Sequence, residues 1–220
     1  MDKIIILGTT DHSHMIRRII EKEKAAEIVA YTINTKNLTQ VPTECEGYPL
    51  VPFENIEEYY DISEYKILNT VGYSKMNEIR SEKNKECIQK GYELFSFVSK
   101  NAMVLSDVRG IGNIILPKAY VGTDVTLGDG NVIYTGSILT HNIDIGNNTF
   151  VAAGSTIGGS VVIGNNCFLG LNSTIKNSVN IADYTMVGAS AYISKDTEKF
   201  GVYVPSRSIK LKNSSLDIRL

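Results

Sequence analysis

Histidine is the side chain that can take up and return a proton near neutral pH, and this 220-residue chain has three. His141 stands alone in GSILTHNIDIG, while His12 and His14 share the stretch GTTDHSHM. A neutral imidazole accepts the proton that an amine or hydroxyl loses on attacking an electrophile, and its ordinary pKa of about 6.5 suits that task. A lone histidine among apolar residues is more often packed than catalytic, so its surroundings decide. Cys45, Cys87 and Cys167 have no metal-ligand spacing. With Lys+Arg 22 against Asp+Glu 24, a net charge of -2, the chain carries no electrostatic footprint for nucleic acid.

The surroundings of His141 are periodic. An aliphatic residue recurs at every sixth position, from Ile115 through Val121, Leu127, Ile133, Leu139 and Ile145 to Val187 and Ile193. Glycine follows directly at Gly122, Gly128, Gly146, Gly158, Gly164, Gly170 and Gly188, and small or β-branched residues such as Ser137, Thr149 and Cys167 stand four positions on. A period of six fits neither an α-helix nor a hairpin meander. It marks a hexapeptide β-helix, each unit one short strand and a corner. The aliphatic then points inward, and the glycine is expected to supply backbone freedom near the corner. His141 is third in its unit, near a corner, where side chains can leave the core. Val98 and Val104 keep the period, but Val104 to Ile115 is eleven, so the phase slips by one at RGIGN in an irregular first coil.

The elements before the repeat read differently. KIIIL (3–7) is a buried strand ending at Gly8, and DHSHMIRRIIEKEK a helix with Met15, Ile16, Ile19 and Ile20 on one face, capped by Asp11 or Ser13. EIVAYTI (27–33) is the next strand; a polar stretch with Pro42, Gly47, Pro49 and Pro52 reads as loop, and NIEEYYD as a short helix. YKILNTV (65–71) is a third strand ending at Gly72. SKMNEIRSEKNKECIQKG follows as a helix with Met76, Ile79, Cys87 and Ile88 on its apolar side, and YELFSFV (92–98) as a fourth strand. Strands alternating with helices predict an α/β, Rossmann-like parallel sheet whose ligand lies beyond the strand ends, near Gly8, Asn34 and Gly72. The expected organisation is a Rossmann-like domain over 1–98, the β-helix over 99–198 and a tail over 199–220 that folds back on the open end. Apolar runs are too short for a membrane span or signal peptide, and the odd cysteine count suits the reducing cytoplasm.

The repeats, with the α/β front end, resemble the left-handed β-helix acyltransferases. The chain as a whole is similar to the bacterial sugar acetyltransferases that include the bacillosamine-pathway and perosamine N-acetyltransferases and the sialic acid O-acetyltransferases. The resemblance implies acetyl-CoA as co-substrate, no metal, a homotrimer with sites between subunits, and His141 as the base. It also implies three hexapeptides, eighteen residues, per turn. Gly159, in STIGGS, is then stacked one coil beyond His141, about 4.8 Å away, with its N–H free to hold a thioester carbonyl as negative charge develops. Phe150, Leu171 and Ala189 would line the acetyl-CoA groove, and Lys176, Lys195, Arg207 and Lys210 would meet its phosphates. In GTTDHS, which occupies the place of the family's GxxGHG loop with only Gly8 kept, Thr10, Asp11 and His12 would contact the sugar nucleotide, with Asn34, Thr35 and Gly72 nearby. His14 reads as a solvated helix residue. Two departures stand out: Asn142 where relatives carry an acidic residue after the histidine, and Phe150 where some carry a second histidine. Asn142 can still orient the imidazole but does not raise its basicity as a carboxylate does.

The reading that follows is N-acetylation of a UDP- or dTDP-linked 4-amino-4,6-dideoxyhexose, with O-acetylation of a sugar such as sialic acid as the alternative. A zinc lyase of the γ-carbonic anhydrase type needs three converging histidines, and the repeats hold one. A non-catalytic scaffold would fail to bind acetyl-CoA.

Overall fold

The computed structural model describes residues 1–36, 40–210 and 212. The front end is an open sheet. β1 (Lys3–Leu7) lies between β2 (Glu27–Ile33) and, through a crossover, the later strand Tyr65–Asn69, all parallel. Outside β2 come the two-residue strand β3 (Glu44–Cys45) and β4 (Tyr48–Pro52), so that with Tyr65–Asn69 as β5 the order is β3-β4-β2-β1-β5. Helix α1 (Asp11–Glu23) covers one face through Ile16 and Ile20, and a 3-10 turn (Phe53–Glu58) with α2 (Glu78–Gln89) covers the other through Phe53, Ile56 and Cys87.

Four local expectations are corrected here. The proline-marked stretch contains β3 and β4: Leu50 and Val51 are buried against β2, while Pro49 faces only the two-residue strand β3 and Pro52 is the last residue of β4. Thr10 is the N-cap of α1, with Ser13 Oγ accepting from the Thr10 N–H at 3.2 Å, and Asp11 is merely the first helical residue. The 92–98 run is no fourth strand; Leu94 makes one bridge to Ile67, and Phe97–Val98 pair with Ile114–Ile115 in the repeat. On α2 the inward residues are Arg80, Asn84 and Cys87, while Ile88 is half-exposed.

From Phe97 onward the chain winds through three parallel sheets of four, seven and six short strands. Strand partners are eighteen residues apart, as in Val132↔Phe150 and Ile138↔Thr156, which is three hexapeptides per turn. The aliphatics of the repeat form one continuous core, none more than 5% exposed. The first coil is one residue short, Val98 pairing with Ile115, which is the phase slip at RGIGN. At the far end Val202–Tyr203 pair with Met186–Val187 and add a last strand to the seven-stranded sheet.

The corners differ from expectation. The residue with left-handed backbone is three after each aliphatic: Lys118, Asp124, Gly130, Gly136, Asn142, Asn148 and so on to Ser190, with φ between 52° and 72°. The glycines that follow the aliphatics serve close approach instead. A Cβ on Gly170 would stand 2.7 Å from the Val187 carbonyl oxygen of the next coil.

The front end sits on the seven-stranded sheet. Its outward residues Ile114, Val132 and Phe150 are buried in the same cluster as Ile16, Ile20 and Leu68.

Candidate active site

On the edge between the six- and four-stranded sheets, Thr123, His141, Gly159 and Asn177 succeed one another at eighteen-residue steps. His141 is exposed. Its Nδ1 lies 2.8 Å from Asn142 Oδ1, an oxygen that only accepts, so Nδ1 carries the proton and Nε2 is left with a free lone pair. Asn142 takes the left-handed corner conformation, φ 52°, which asparagine tolerates. The imidazole lies across Gly159, where a Cβ would stand 2.5 Å from Nε2. Gly159 is therefore glycine because the ring occupies its side-chain space.

Its N–H is occupied rather than open to a thioester carbonyl. It donates to Asn177 Oδ1 at 3.1 Å. The cause is a ladder that recurs on the neighbouring edge, where the backbone N–H groups of Asp129, Asn147 and Asn165 donate to side-chain oxygens one coil on. Of the expected groove residues, Leu171 and Ala189 stand one coil apart on a different edge, between the seven- and six-stranded sheets, with the Ser190 N–H donating to the Leu171 carbonyl. Phe150 is elsewhere again. Its ring is 5% exposed in the seam under the front end, against Tyr73, Tyr134 and Phe168, because it is an outward residue of the covered sheet. In the single chain the ring faces the front end and not solvent.

A second cluster forms where the strand order reverses, between the carboxyl ends of β1 and β5. Gly8, with φ 118°, must be glycine: a Cβ would be 3.0 Å from Ser13 Oγ and 3.1 Å from Thr70 Oγ1. Thr70 Oγ1 bonds the Leu7 carbonyl at 2.8 Å and closes the two strand ends together. His12 Nδ1 donates to the Thr70 carbonyl at 3.1 Å, so Nε2 is the acceptor, buried and without a protein partner. Burial, aided by the charge of Arg80 and opposed by the Thr70 bond, lowers the His12 pKa to about 4, and the ring is neutral at working pH. Tyr134 stacks on it at 5.6 Å. The structure thus brings Gly8, Thr10 and His12 together with the loop that leads to Gly72.

Asn34 and Thr35 are already engaged by Glu54. Glu54 accepts from the Thr35 N–H at 2.9 Å, the Lys36 N–H at 3.2 Å and Asn34 Nδ2 at 3.3 Å. Burial disfavours this carboxylate, but the hydrogen bonds outweigh it and hold the pKa down at about 2. His14 is half-buried rather than solvated, 3.5 Å from Cys45 Sγ and 3.6 Å from Glu46. Asp11 is exposed beside a cavity of about 470 Å³ shared with His14, Met15, Arg18 and Glu46. Among the described residues no group of three or more His, Cys, Asp or Glu is placed to hold a metal ion, and no helix is long and apolar enough to cross a membrane.

Residues 142–177 match the bacterial transferase hexapeptide family (six repeats). A search of curated proteins found no match. The chain's architecture is shared with solved sugar acetyltransferases. It resembles the acetyltransferase domain of PglB from Neisseria gonorrhoeae FA1090, with a TM-score of 0.81 and 19% identity over 93% of this chain and 97% of that one. PerB from Caulobacter crescentus, solved in complex with CoA and GDP-perosamine, gives a TM-score of 0.82 and 19% identity over 93% and 95%. WeeI from Acinetobacter baumannii AYE gives 0.62 and 15% identity over 93% and 97%. At these identities the likeness is one of fold.

Proposed function

We propose that this protein is an acetyl-CoA-dependent N-acetyltransferase acting on a nucleotide-linked amino sugar, with His141 as the general base. The observation that carries the reading is the His141 imidazole, held by Asn142 through Nδ1 with Nε2 free, lying across a glycine one coil away. The acceptor amine attacks the acetyl carbonyl and a C–N bond forms. The amine proton passes to Nε2, the C–S bond breaks, and the proton returns to the departing thiolate. For the Gly159 N–H to meet the carbonyl oxygen, Asn177 must turn aside. PglB and PerB, which share the fold, have been solved with acetyl coenzyme A and with CoA plus GDP-perosamine, and this supports the choice of donor and acceptor class.

In this reading 1–98 is a Rossmann-like unit that holds the sugar nucleotide at the reversal point beside Gly8, Thr10, Asp11, His12 and Gly72. Segment 99–198 is a left-handed coil that carries the transfer, and the described part of the expected 199–220 tail, through Val202–Tyr203, caps it; residues 211 and 213–220 lie outside the described residues. The working form is a homotrimer in the cytoplasm. Support comes from the exposure of His141 in a single chain and from Leu171 and Ala189 standing on another edge, where a second copy would bring them against the pantetheine. The substrate is a UDP- or dTDP-linked 4-amino-4,6-dideoxyhexose. The test is thiol release from acetyl-CoA with UDP-, dTDP- and GDP-linked 4-amino sugars and with free sialic acid. Turnover with an amino sugar that is lost in His141→Ala is expected; turnover with sialic acid alone would replace the amine by a hydroxyl.

A further inference from the structure

The buried group that this reaction leaves unused is Arg80. It is 1% exposed, and all its bonds go to carbonyl oxygens: Nε to Gly130 at 3.0 Å, Nη1 to Gly72 at 2.9 Å and Nη2 to Asn148 at 2.8 Å. No carboxylate attends it among the described residues. Burial alone lowers its pKa to about 9, so the guanidinium stays charged at neutral pH.

Its neighbours on the helix continue the pattern. Asn84 Nδ2 lies 3.3 Å from Asn148 Oδ1, and Asn77, just before α2, donates to the Cys167 carbonyl at 2.9 Å. Arg80 thus ties the corners of two successive coils, at Gly130 and Asn148, with Asn84 also at Asn148, and Asn77 reaches the next coil at Cys167. Adhesion alone would not select such a seam, since apolar residues of similar volume hold buried surfaces together as well as an unpaired charge or better. What the guanidinium adds is a planar fork that fixes three carbonyls in one geometry.

Two of those carbonyls belong to coil corners and the third to the loop after β5. From Gly72 that loop runs through Tyr73, whose ring packs on Phe150 and Phe168, into three successive left-handed residues, Lys75, Met76 and Asn77. Such a run is strained in L-residues and persists only where its surroundings hold it.

We infer that Arg80 is a positioning residue that locks the Gly72–Asn77 loop to the coil and so sets where the acceptor sits relative to His141. The inference rests on the acetyltransferase reading for its functional half. Its structural half stands independently: the loop is rigid because of Arg80.

Two variants separate this role from plain stability. Arg80→Lys keeps the charge and loses the fork; Asn77→Ala removes the neighbouring tie and leaves the fork. Steady-state kinetics well below the melting temperature should show the acceptor KM raised about tenfold or more in Arg80→Lys, since small misplacements near reacting groups are costly. The acetyl-CoA KM should stay within about twofold, and Asn77→Ala should shift the acceptor KM in the same direction but less. A purely structural residue would lower the folded fraction and leave both KM values alone, and that outcome in a folded Arg80→Lys overturns the inference. Amide hydrogen exchange needs no substrate. Protection over 73–77 should fall about tenfold or more in Arg80→Lys while that of 139–181 is kept, and unchanged exchange would refute the lock even if the acetyltransferase reading had failed. Should Arg80→Lys not fold, unchanged loop exchange and acceptor KM in Asn77→Ala would count against it.

Discussion

Replacing Gly159 by alanine tests the candidate site at its tightest contact. The backbone there is not left-handed, so alanine is conformationally allowed. The added methyl, however, would stand 2.5 Å from His141 Nε2 and 3.0 Å from Nδ1. The imidazole is exposed and can swing outward, at the loss of its 2.8 Å bond to Asn142. One such bond is worth about 1 kcal/mol, which bounds the stability effect to a few degrees in Tm. The catalytic effect is far larger. A displaced base forfeits the ~10²–10⁴-fold that general-base catalysis contributes, or about 3–5 kcal/mol of barrier. The assay is kcat/KM for thiol release in wild type, Gly159→Ala, His141→Ala and the double variant. Because the methyl acts through the ring, the double variant should be no slower than His141→Ala alone. Near wild-type turnover in Gly159→Ala, or a further drop in the double variant, would refute the stacking argument. The small Tm penalty should likewise disappear once His141 is gone.

Asn142→Asp places a carboxylate on Nδ1 in a corner that accepts either residue; it stabilises the imidazolium, so the acid limb of the kcat/KM profile should move to higher pH, and an unmoved limb would show that Asn142 does not face the working base. Glu54 has a folded pKa near 2 against an ordinary 4.5, so its contribution is full above about pH 4.5 and disappears as pH falls toward 2. Allowing for screening of a partly exposed carboxylate, we expect about 1–2 kcal/mol. Glu54→Gln should flatten the decline in urea stability over that window, and an equal decline in both proteins would argue against the loop clamp. Asn131 is fully buried: its Oδ1 accepts from the Thr149 N–H at 2.8 Å and its Nδ2 donates to the Gly128 and Gly146 carbonyls. Asn131→Ala strands one buried N–H and two half-buried carbonyls and should cost about 2–4 kcal/mol in denaturant unfolding; a loss under 1 kcal/mol would mean that water replaces the side chain.

The coil was legible because its core residue returns every sixth position and each error of phase would turn an aliphatic outward. That made the slip before Ile115 visible, and eighteen residues per turn placed Gly159 against His141. Glycine does not mark the left-handed corners, because asparagine, aspartate and serine fill many of those positions. The inner face of α2 was missed for a related reason. A face of Arg80 and Asn84, with Asn77 just before the helix, looks solvated in sequence, and only the row of carbonyls presented by the coil makes it an interior one. The burial of Phe97 and Phe150 is not legible in the repeat, because which outer faces of the coil meet water depends on where the front end lands, and a periodic sequence does not say. The bond from Asn177 to the Gly159 N–H had a signal: Asn147, Asn165 and Asp183 occupy the same position of other repeats.

The regular recurrence of left-handed corners has a further effect at position 142. The residue beside the base is selected first by the backbone, which favours glycine, asparagine and aspartate and resists branched side chains. Two members of that short alphabet differ by a full negative charge at Nδ1 while matching in shape. Proton affinity at His141 can therefore be retuned by a single substitution that the coil does not register, because chain direction, strand pairing and core volume are identical before and after. Evolution of such a scaffold can move its working pH, or its preference between a basic amine and a weakly acidic hydroxyl, without passing through an unstable intermediate.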